Sequence, residues 1–417
     1  MVTVSETHRA IEAVWRIEAA RLIAGLARLV QDVGQAEELA QDALLIALEK
    51  WPETGVPPNP GAWLMSTAKH RAIDQLRRKE RLARKQQEIG RDLEQRQHPE
   101  IEVDTGPDFG DDLLRLVFTA CHPVLSTEAR VALALRVLCG LTTKEIARAF
   151  LVPEPTIAQR IVRAKKTLAR KQIPFEAPSG DELAARLPAV LEVVYLIFNE
   201  GYTATSGADW LRTELCDDAL RLGRILAGLV PGEPEVHGLV ALLEIQASRT
   251  AARTGPNGEP VLLLEQDRTR WDQLLIRRGL AALQRAEEID APPGPYRLQA
   301  AIAACHARAR TAAETDWARI ARIYEQLSEV TPSPVVELNR AVAVSMAFGP
   351  EHGLNLVDQL VAEGSLRDYH LLPSVRGDLL VKLDRPAEAR AEFERAAELT
   401  ANTRERELLL ERAESCG

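Results

Sequence analysis

The sequence predicts an all-α chain built from several helical domains. Apolar residues recur at helical spacing in one segment after another, and no two-residue alternation persists long enough to build a sheet. The segments are separated by Gly and Pro clusters, among them Pro231-Gly232, Pro292-Pro293-Gly294, Pro332-Ser333-Pro334 and Gly349-Pro350, which stop helices. A length of 417 residues supports two to four domains at about 100–200 residues each.

Composition narrows the function. Apolar residues make up 46% and charged residues 27% of the chain, as in ordinary globular proteins. No stretch approaches the roughly 20 apolar residues that span a bilayer, and the first residues lack the build of a signal peptide. A cytoplasmic protein with no membrane partner is expected. The five cysteines are scattered, with no CxxC or HxxxH spacing, so neither a disulfide framework nor a metal site is expected. There is no glycine-rich phosphate loop, no His/carboxylate cluster and no local nucleophile signature. No catalytic residue and no cofactor are therefore expected, and the chain reads as a non-enzyme. The net charge of −9 is unevenly spread. Residues 1–172 hold 26 Lys and Arg against 23 Asp and Glu, a net of +3, whereas the remainder holds 26 against 38, a net of −12. Nucleic-acid binding, if present, belongs to the first part.

Thr7 to Val30 places Ile11, Trp15, Leu22, Leu26 and Leu29 on one helical face, and Asp32-Val33-Gly34 is expected to end it. Gln35 to Lys50 resumes with Ala36, Leu39, Ala43, Leu44 and Ala47 inward, and Glu37, Glu38, Gln41 and Asp42 on the polar face. Trp51 to Gly61, with four prolines and two glycines, is expected to be a stiff loop. Ala62 to Arg84 is helical again. Its outer face carries Lys69, His70, Arg71, Arg77 and Arg78, and between Lys69 and Arg91 nine Lys and Arg face three acids. Residues 85–110 lose periodicity and turn acidic, which predicts a flexible tether.

Residues 111–172 then read as one small helical domain. Ser126 begins a helix that Gly140 stops. Leu141 to Lys171 follows as two helices with a tight turn. Thr142 or Thr143 caps the first, and Pro155 sits in the first turn of the second, where proline is tolerated. Ile157, Ile161, Ala164 and Leu168 form an apolar stripe, and no acid lies between Thr156 and Lys171. This is the outline of a helix-turn-helix, whose second helix enters the major groove. A solvated basic face is the plainer alternative.

The ordered segments QAEELAQDALLIALEKW, GAWLMSTAKHRAIDQLRR, LSTEARVALALRVLCGLTTKEIARAF and TIAQRIVRAKKTL resemble the extracytoplasmic-function sigma factors of the sigma-70 superfamily. The resemblance covers about the first 172 residues. It implies region 2 over 1–84, an acidic linker over 85–110 and region 4 over 111–172. It further implies promoter DNA and core RNA polymerase, through its clamp and flap, as partners. Glu38, Gln41 and Asp42 would dock on the clamp. Asn59, in the proline-rich loop, and Lys69, His70, Arg71, Arg77 and Arg78 would meet the −10 element. Thr156, Gln159, Arg160, Arg163, Lys165 and Lys166 would read the −35 element. The chain departs from the family at His70, where Asn is usual. A helix-turn-helix regulator that works without polymerase, carrying a helical sensory domain, is the alternative reading.

Beyond a linker at 173–180, residues 181–417 are helical throughout. YEQLSEVT at 324–331 is similar to FERAAELT at 393–400, an offset of 69 residues, about twice the tetratricopeptide period of about 34. A tetratricopeptide-like extension is expected, with a groove for a regulatory protein or peptide. By resemblance to sigma factors with such extensions, it would regulate the first part. Tyr195, Phe198 and Tyr202 concentrate aromatics in a chain that is 4% aromatic, and are candidates for an interdomain seam or a buried first hairpin.

Overall fold

The computed structural model describes residues 4–89, 109–150, 152–202, 213–255, 261–400 and 402–416. Among them every extended element is a helix. The chain divides into two compact units, Met1–Val193 and Val194–Gly417, described in turn.

The first unit contains α1 (Val4–Val30), α2 (Val33–Thr54), α3 (Pro60–Ile89), α4 (Phe109–Ala120), α5 (Thr127–Val137), α6 (Thr143–Ala149), α7 (Glu154–Arg170) and the first half of α8 (Gly180–Tyr202). Helix α1 is the hub and packs against α2, α3, α4 and α5. Its Leu22, Ile23 and Leu26 are fully buried, as are Leu39 and Ala43 of α2 and Leu64 and Ala68 of α3. Apolar burial of this kind, not helix propensity, holds such helices in place. The expected stripe of α7 is buried at all four positions, Ile157, Ile161, Ala164 and Leu168.

Helix boundaries depart from expectation in three places. The first break is made by Gln31 at φ 56. Asp32 then caps α2 by accepting a hydrogen bond from the Gln35 N–H at 2.8 Å, so Val33 and Gly34 belong to the helix. Secondly, α2 continues through Trp51–Thr54 with Pro52 inside it. Trp51 is buried and packs edge-on against Trp63 at 5.3 Å, which holds the last turn although Pro52 donates no hydrogen bond. Gly55, at φ 81, returns its N–H to the Trp51 carbonyl, and the loop shrinks to residues 55–59. Thirdly, α3 runs on to Ile89. Its Arg, Lys, Gln and Glu favour helix after the apolar period is lost. The expected tether falls mostly on 90–108, outside the described residues.

In the second unit, the rest of α8 is followed by α9 (Thr213–Leu229), α10 (Pro234–Ala247), α11 (Gln273–Glu288), α12 (Pro295–Arg308), α13 (Trp317–Val330), α14 (Pro334–Phe348), α15 (Pro350–Ala362), α16 (Leu371–Lys382), α17 (Pro386–Leu399) and α18 (Thr403–Glu414). From α9 onward, each helix packs on its neighbour in sequence. Helix α10 is buried along almost its whole length. One core gathers Val240, Ala241, Ile245, Leu283 and Ala300, and a later one gathers Leu338, Val357, Leu380 and Phe393. Helices α13 and α17 are both 14 residues long. They begin at 317 and 386, so the offset of 69 in sequence recurs between the starts of these two helices.

Candidate nucleic-acid interface

Helices α6 and α7 form the helix-turn-helix. Thr142 caps α6 in a reciprocal box. Its hydroxyl accepts from the Glu145 N–H at 3.2 Å, and the Glu145 carboxylate accepts from the Thr142 N–H at 2.7 Å. Helix α7 starts after Pro153 without a side-chain cap, with Pro155 in its first turn. Burial of its stripe turns Gln159, Arg163 and Lys166 fully outward and leaves Thr156 and Arg160 half-exposed. Among the described residues, Arg163 and Lys166 make no ion pair.

Lys165 is placed differently. Its ammonium is bound to the Glu37 carboxylate of α2, which also accepts from Arg136 Nε at 2.8 Å. Glu37 is 3% exposed, although its sequence neighbourhood put it on a solvated face. Gly34 sits beside the Lys165 stem, where a Cβ would lie 3.4 Å from Lys165 Cδ. Two further bonds tie α1 to the start of this domain. Trp15 Nε1 donates to the Gly140 carbonyl at 3.1 Å, and Arg16 pairs with Glu145 at 3.1 Å. Together with hydrogen bonds to Thr142, the Arg16 charge holds the Glu145 carboxylate below its usual pKa against the opposing effect of burial.

The second basic helix, α3, borders a cleft of about 650 Å³. Asn59, Lys69 and His70 line it together with Ser66 and Met65, and α1 contributes Glu18 and Arg21 from the opposite wall. Asn59 also caps α3, its Oδ1 accepting from the Ala62 N–H at 3.0 Å. His70 Nδ1 lies 2.7 Å from the Ser66 carbonyl. A carbonyl only accepts, so Nδ1 carries a proton. Arg71 does not join the cleft and pairs with Asp42 of α2. Arg77 and Arg78 are exposed further along α3. The α1 wall is not visible in the sequence, because Glu18 and Arg21 stand far along the chain from Asn59, Lys69 and His70.

On α2, Glu38 is exposed and Gln41 and Asp42 are half-exposed, near the bare apolar side chain of Leu45. In the second unit, Tyr195 donates to Gln299 Oε1 at 3.2 Å and meets the Tyr296 ring edge-on. Phe198 is buried and stacks on Tyr202 at 5.3 Å. Among the described residues no cluster of three or more His, Cys, Asp or Glu is arranged to hold a metal ion, and no helix is long and apolar enough to cross a membrane.

Three segments match known families. Residues 17–82 match Sigma-70 region 2, residues 115–168 match Sigma-70 region 4, and residues 186–287 match a family of unknown function, DUF6596. An uncharacterized protein of Rhizobium meliloti (strain 1021) is 45% identical over 381 residues, covering 91% of this chain and 89% of that protein. The region 2 match contains the α1–α3 cleft and the exposed cations of α3, and the region 4 match ends on the basic helix of the helix-turn-helix. With both regions present in order on one chain, the protein belongs to the sigma-70 family of RNA polymerase sigma factors.

Proposed function

We propose that this chain is a promoter-specificity factor of the extracytoplasmic-function class, acting in the cytoplasm, with a C-terminal extension that regulates it. Sigma-70 regions 2 and 4 belong to non-catalytic transcription factors that bind core RNA polymerase and promoter DNA. In this reading Glu38, Gln41 and Asp42 of α2 dock on the polymerase clamp, Asp42 by exchanging its Arg71 partner. The cleft residues Asn59, Lys69 and His70, with Arg77 and Arg78, engage the −10 element and help hold an unstacked base. Thr156, Gln159, Arg160, Arg163 and Lys166 face the −35 element. Lys165 joins them once released from Glu37. The offset of 69 residues between α13 and α17 supports a tetratricopeptide-like array, whose groove would take a regulatory protein or peptide.

The observation that carries this reading is the division of labour on α7. Four apolar side chains are buried on one side, and Gln159, Arg160, Arg163 and Lys166 lie on the other, within the segment matching region 4. The test is transcription from a cognate promoter by core polymerase with the full chain. Arg160→Ala and Arg163→Ala should each weaken −35 recognition by about 1–3 kcal/mol where the Arg reads a base. Normal promoter output from the double variant sinks the assignment. Specific DNA binding without core polymerase would instead support an independent helix-turn-helix regulator.

A further inference from the structure

The C-terminal unit contains a concentration of buried cations that promoter recognition does not use. Three arginines alternate with two aromatic rings between the end of α8 and the connection from α10 to α11. Arg253 lies 3.6 Å over the Tyr202 ring, and Arg249 lies 5.7 Å from that ring and 5.8 Å from the Trp271 ring. Arg268 covers Trp271 at 5.0 Å. Arg253, Arg268 and Trp271 are respectively 7%, 9% and 3% exposed. Arg268 is locked in place: its Nη1 donates to the carbonyls of His306 and Ala309 at 2.7 and 2.8 Å, and its Nη2 to Thr315 Oγ1 at 3.1 Å. Arg249 donates to Gln246. Among the described residues, neither Arg249 nor Arg268 has a carboxylate at ion-pair distance.

Apart from His306 Nδ1 and the Gln266 Oε1 acceptor, the unsatisfied buried atoms of this cluster are donors. Tyr202 Oη, Arg249 Nε, Arg268 Nε and Trp271 Nε1 are buried without a hydrogen-bond partner, as is His306 Nδ1. The first four all carry a hydrogen to donate. Buried polar groups are normally paired, and buried charge is normally neutralised. If the stack served only as packing, cation–π contact would suit the ring faces, but the N–H and O–H groups would still need acceptors. Positive charge plus a surplus of donors is the complement of an oxyanion. Phosphate suits it better than carboxylate, because its oxygens accept more hydrogen bonds and carry more charge. The same field acts on His306, whose pKa is pushed down to about 4 by burial and by Arg249 and Arg268.

We propose that Tyr202, Arg249, Arg268 and Trp271 form an oxyanion-binding site for a small phosphorylated molecule within the C-terminal unit. The site answers to a ligand and not to DNA, so it is testable without polymerase, and its failure leaves the promoter reading untouched. The experiment is isothermal titration of the full chain with inorganic phosphate and with pyrophosphate, at constant ionic strength, with acetate as the carboxylate arm. Saturable one-to-one binding of a phosphate probe, weaker for acetate, is expected. Arg249→Gln removes a half-exposed cation, and Trp271→Phe keeps the ring while deleting the N–H. Each should weaken binding about tenfold or more, the effect of losing one charge-assisted or buried hydrogen bond. Arg163→Ala on α7 should bind like the wild type. No saturable binding to the wild type, equal affinity for acetate, unchanged affinity in both variants, or loss of binding in Arg163→Ala would each overturn the proposal.

Discussion

Replacing Glu37 by Gln tests how firmly the helix-turn-helix is held against α2. The Glu37 carboxylate is 3% exposed and bridges Arg136 and Lys165, whose side chains are 18% and 17% exposed. Removing one partner of a buried pair costs about 3–5 kcal/mol. Two features reduce that here. Arg136 keeps a second acceptor, the Leu141 carbonyl at 3.0 Å, and the long Lys165 stem can carry its ammonium to water. A loss of about 2–3 kcal/mol remains, taken from the local opening that separates α2 from α7. Hydrogen exchange reads such openings directly. At about 1.4 kcal/mol per decade, amides of α2 and α7 should exchange roughly 30- to 150-fold faster in Glu37→Gln. The neighbouring Glu38→Gln is the control, since Glu38 is exposed and a surface change costs within about 0.5 kcal/mol. Equal exchange in the two variants would show that the Glu37 pair does not hold these helices, and the reasoning would fail.

Other perturbations address separate parts of the molecule. Thr142→Ala deletes the capping box of α6 and should cost about 1 kcal/mol, read as a lower melting temperature; an unchanged melting temperature would refute a stabilising cap. His306 titrates at about 4 in the folded chain and at about 6.5 unfolded. The unfolded chain therefore binds the extra proton between those values. Stability is full above pH 6.5 and falls by up to about 3 kcal/mol as pH drops to 4. His306→Gln should flatten that part of the profile, and a wild-type profile already flat there would be the contrary result. Ending the chain after Gln172 removes Arg186, which donates to the Phe118 carbonyl at 2.8 Å, and Glu192, which pairs with Arg130 at 3.2 Å. Ending it after Val193 keeps both. The longer fragment should melt higher than the shorter one and transcribe at a level different from the full chain. Equal transcription by full chain and longer fragment would rule out regulation by the extension.

Local features were legible in the sequence and distant partnerships were not. The α7 stripe could be read because helical burial repeats every three or four residues. The Thr142 box lies within four residues and needs no tertiary knowledge. Glu37 was misread because it flanks the apolar stripe of α2, and the two cations that bury it stand 99 and 128 residues away. The same reason hid the pairing of Arg71 with Asp42 and the α1 wall of the cleft. Pro52 misled in the opposite sense. Its ring disfavours helix locally, yet the burial of Trp51 beside it keeps the turn. In the C-terminal unit, Arg249, Arg253 and Arg268 are spaced along a stretch without helical period, so nothing in the sequence marked them as one cluster.

Promoter geometry gives the Glu37 pair its significance in the sigma reading. The elements named −35 and −10 lie about 25 base pairs apart, roughly 85 Å at about 3.4 Å per pair. Helix α2 packs against both α3 and α7, so the helices proposed to read those elements are held by one 22-residue helix. A helix of that length spans about 33 Å. While α2 holds α7, the two readers stay tied to that one helix, which opposes their spreading over both elements of an extended duplex. On the proposed sigma reading, release of Lys165 from Glu37 would accompany simultaneous contact. The released ammonium then becomes available to phosphate on the same helix that carries Arg160 and Arg163. On the proposed sigma reading, this single buried carboxylate would oppose DNA in two ways, by holding α7 against α2 and by occupying a cation proposed to engage DNA.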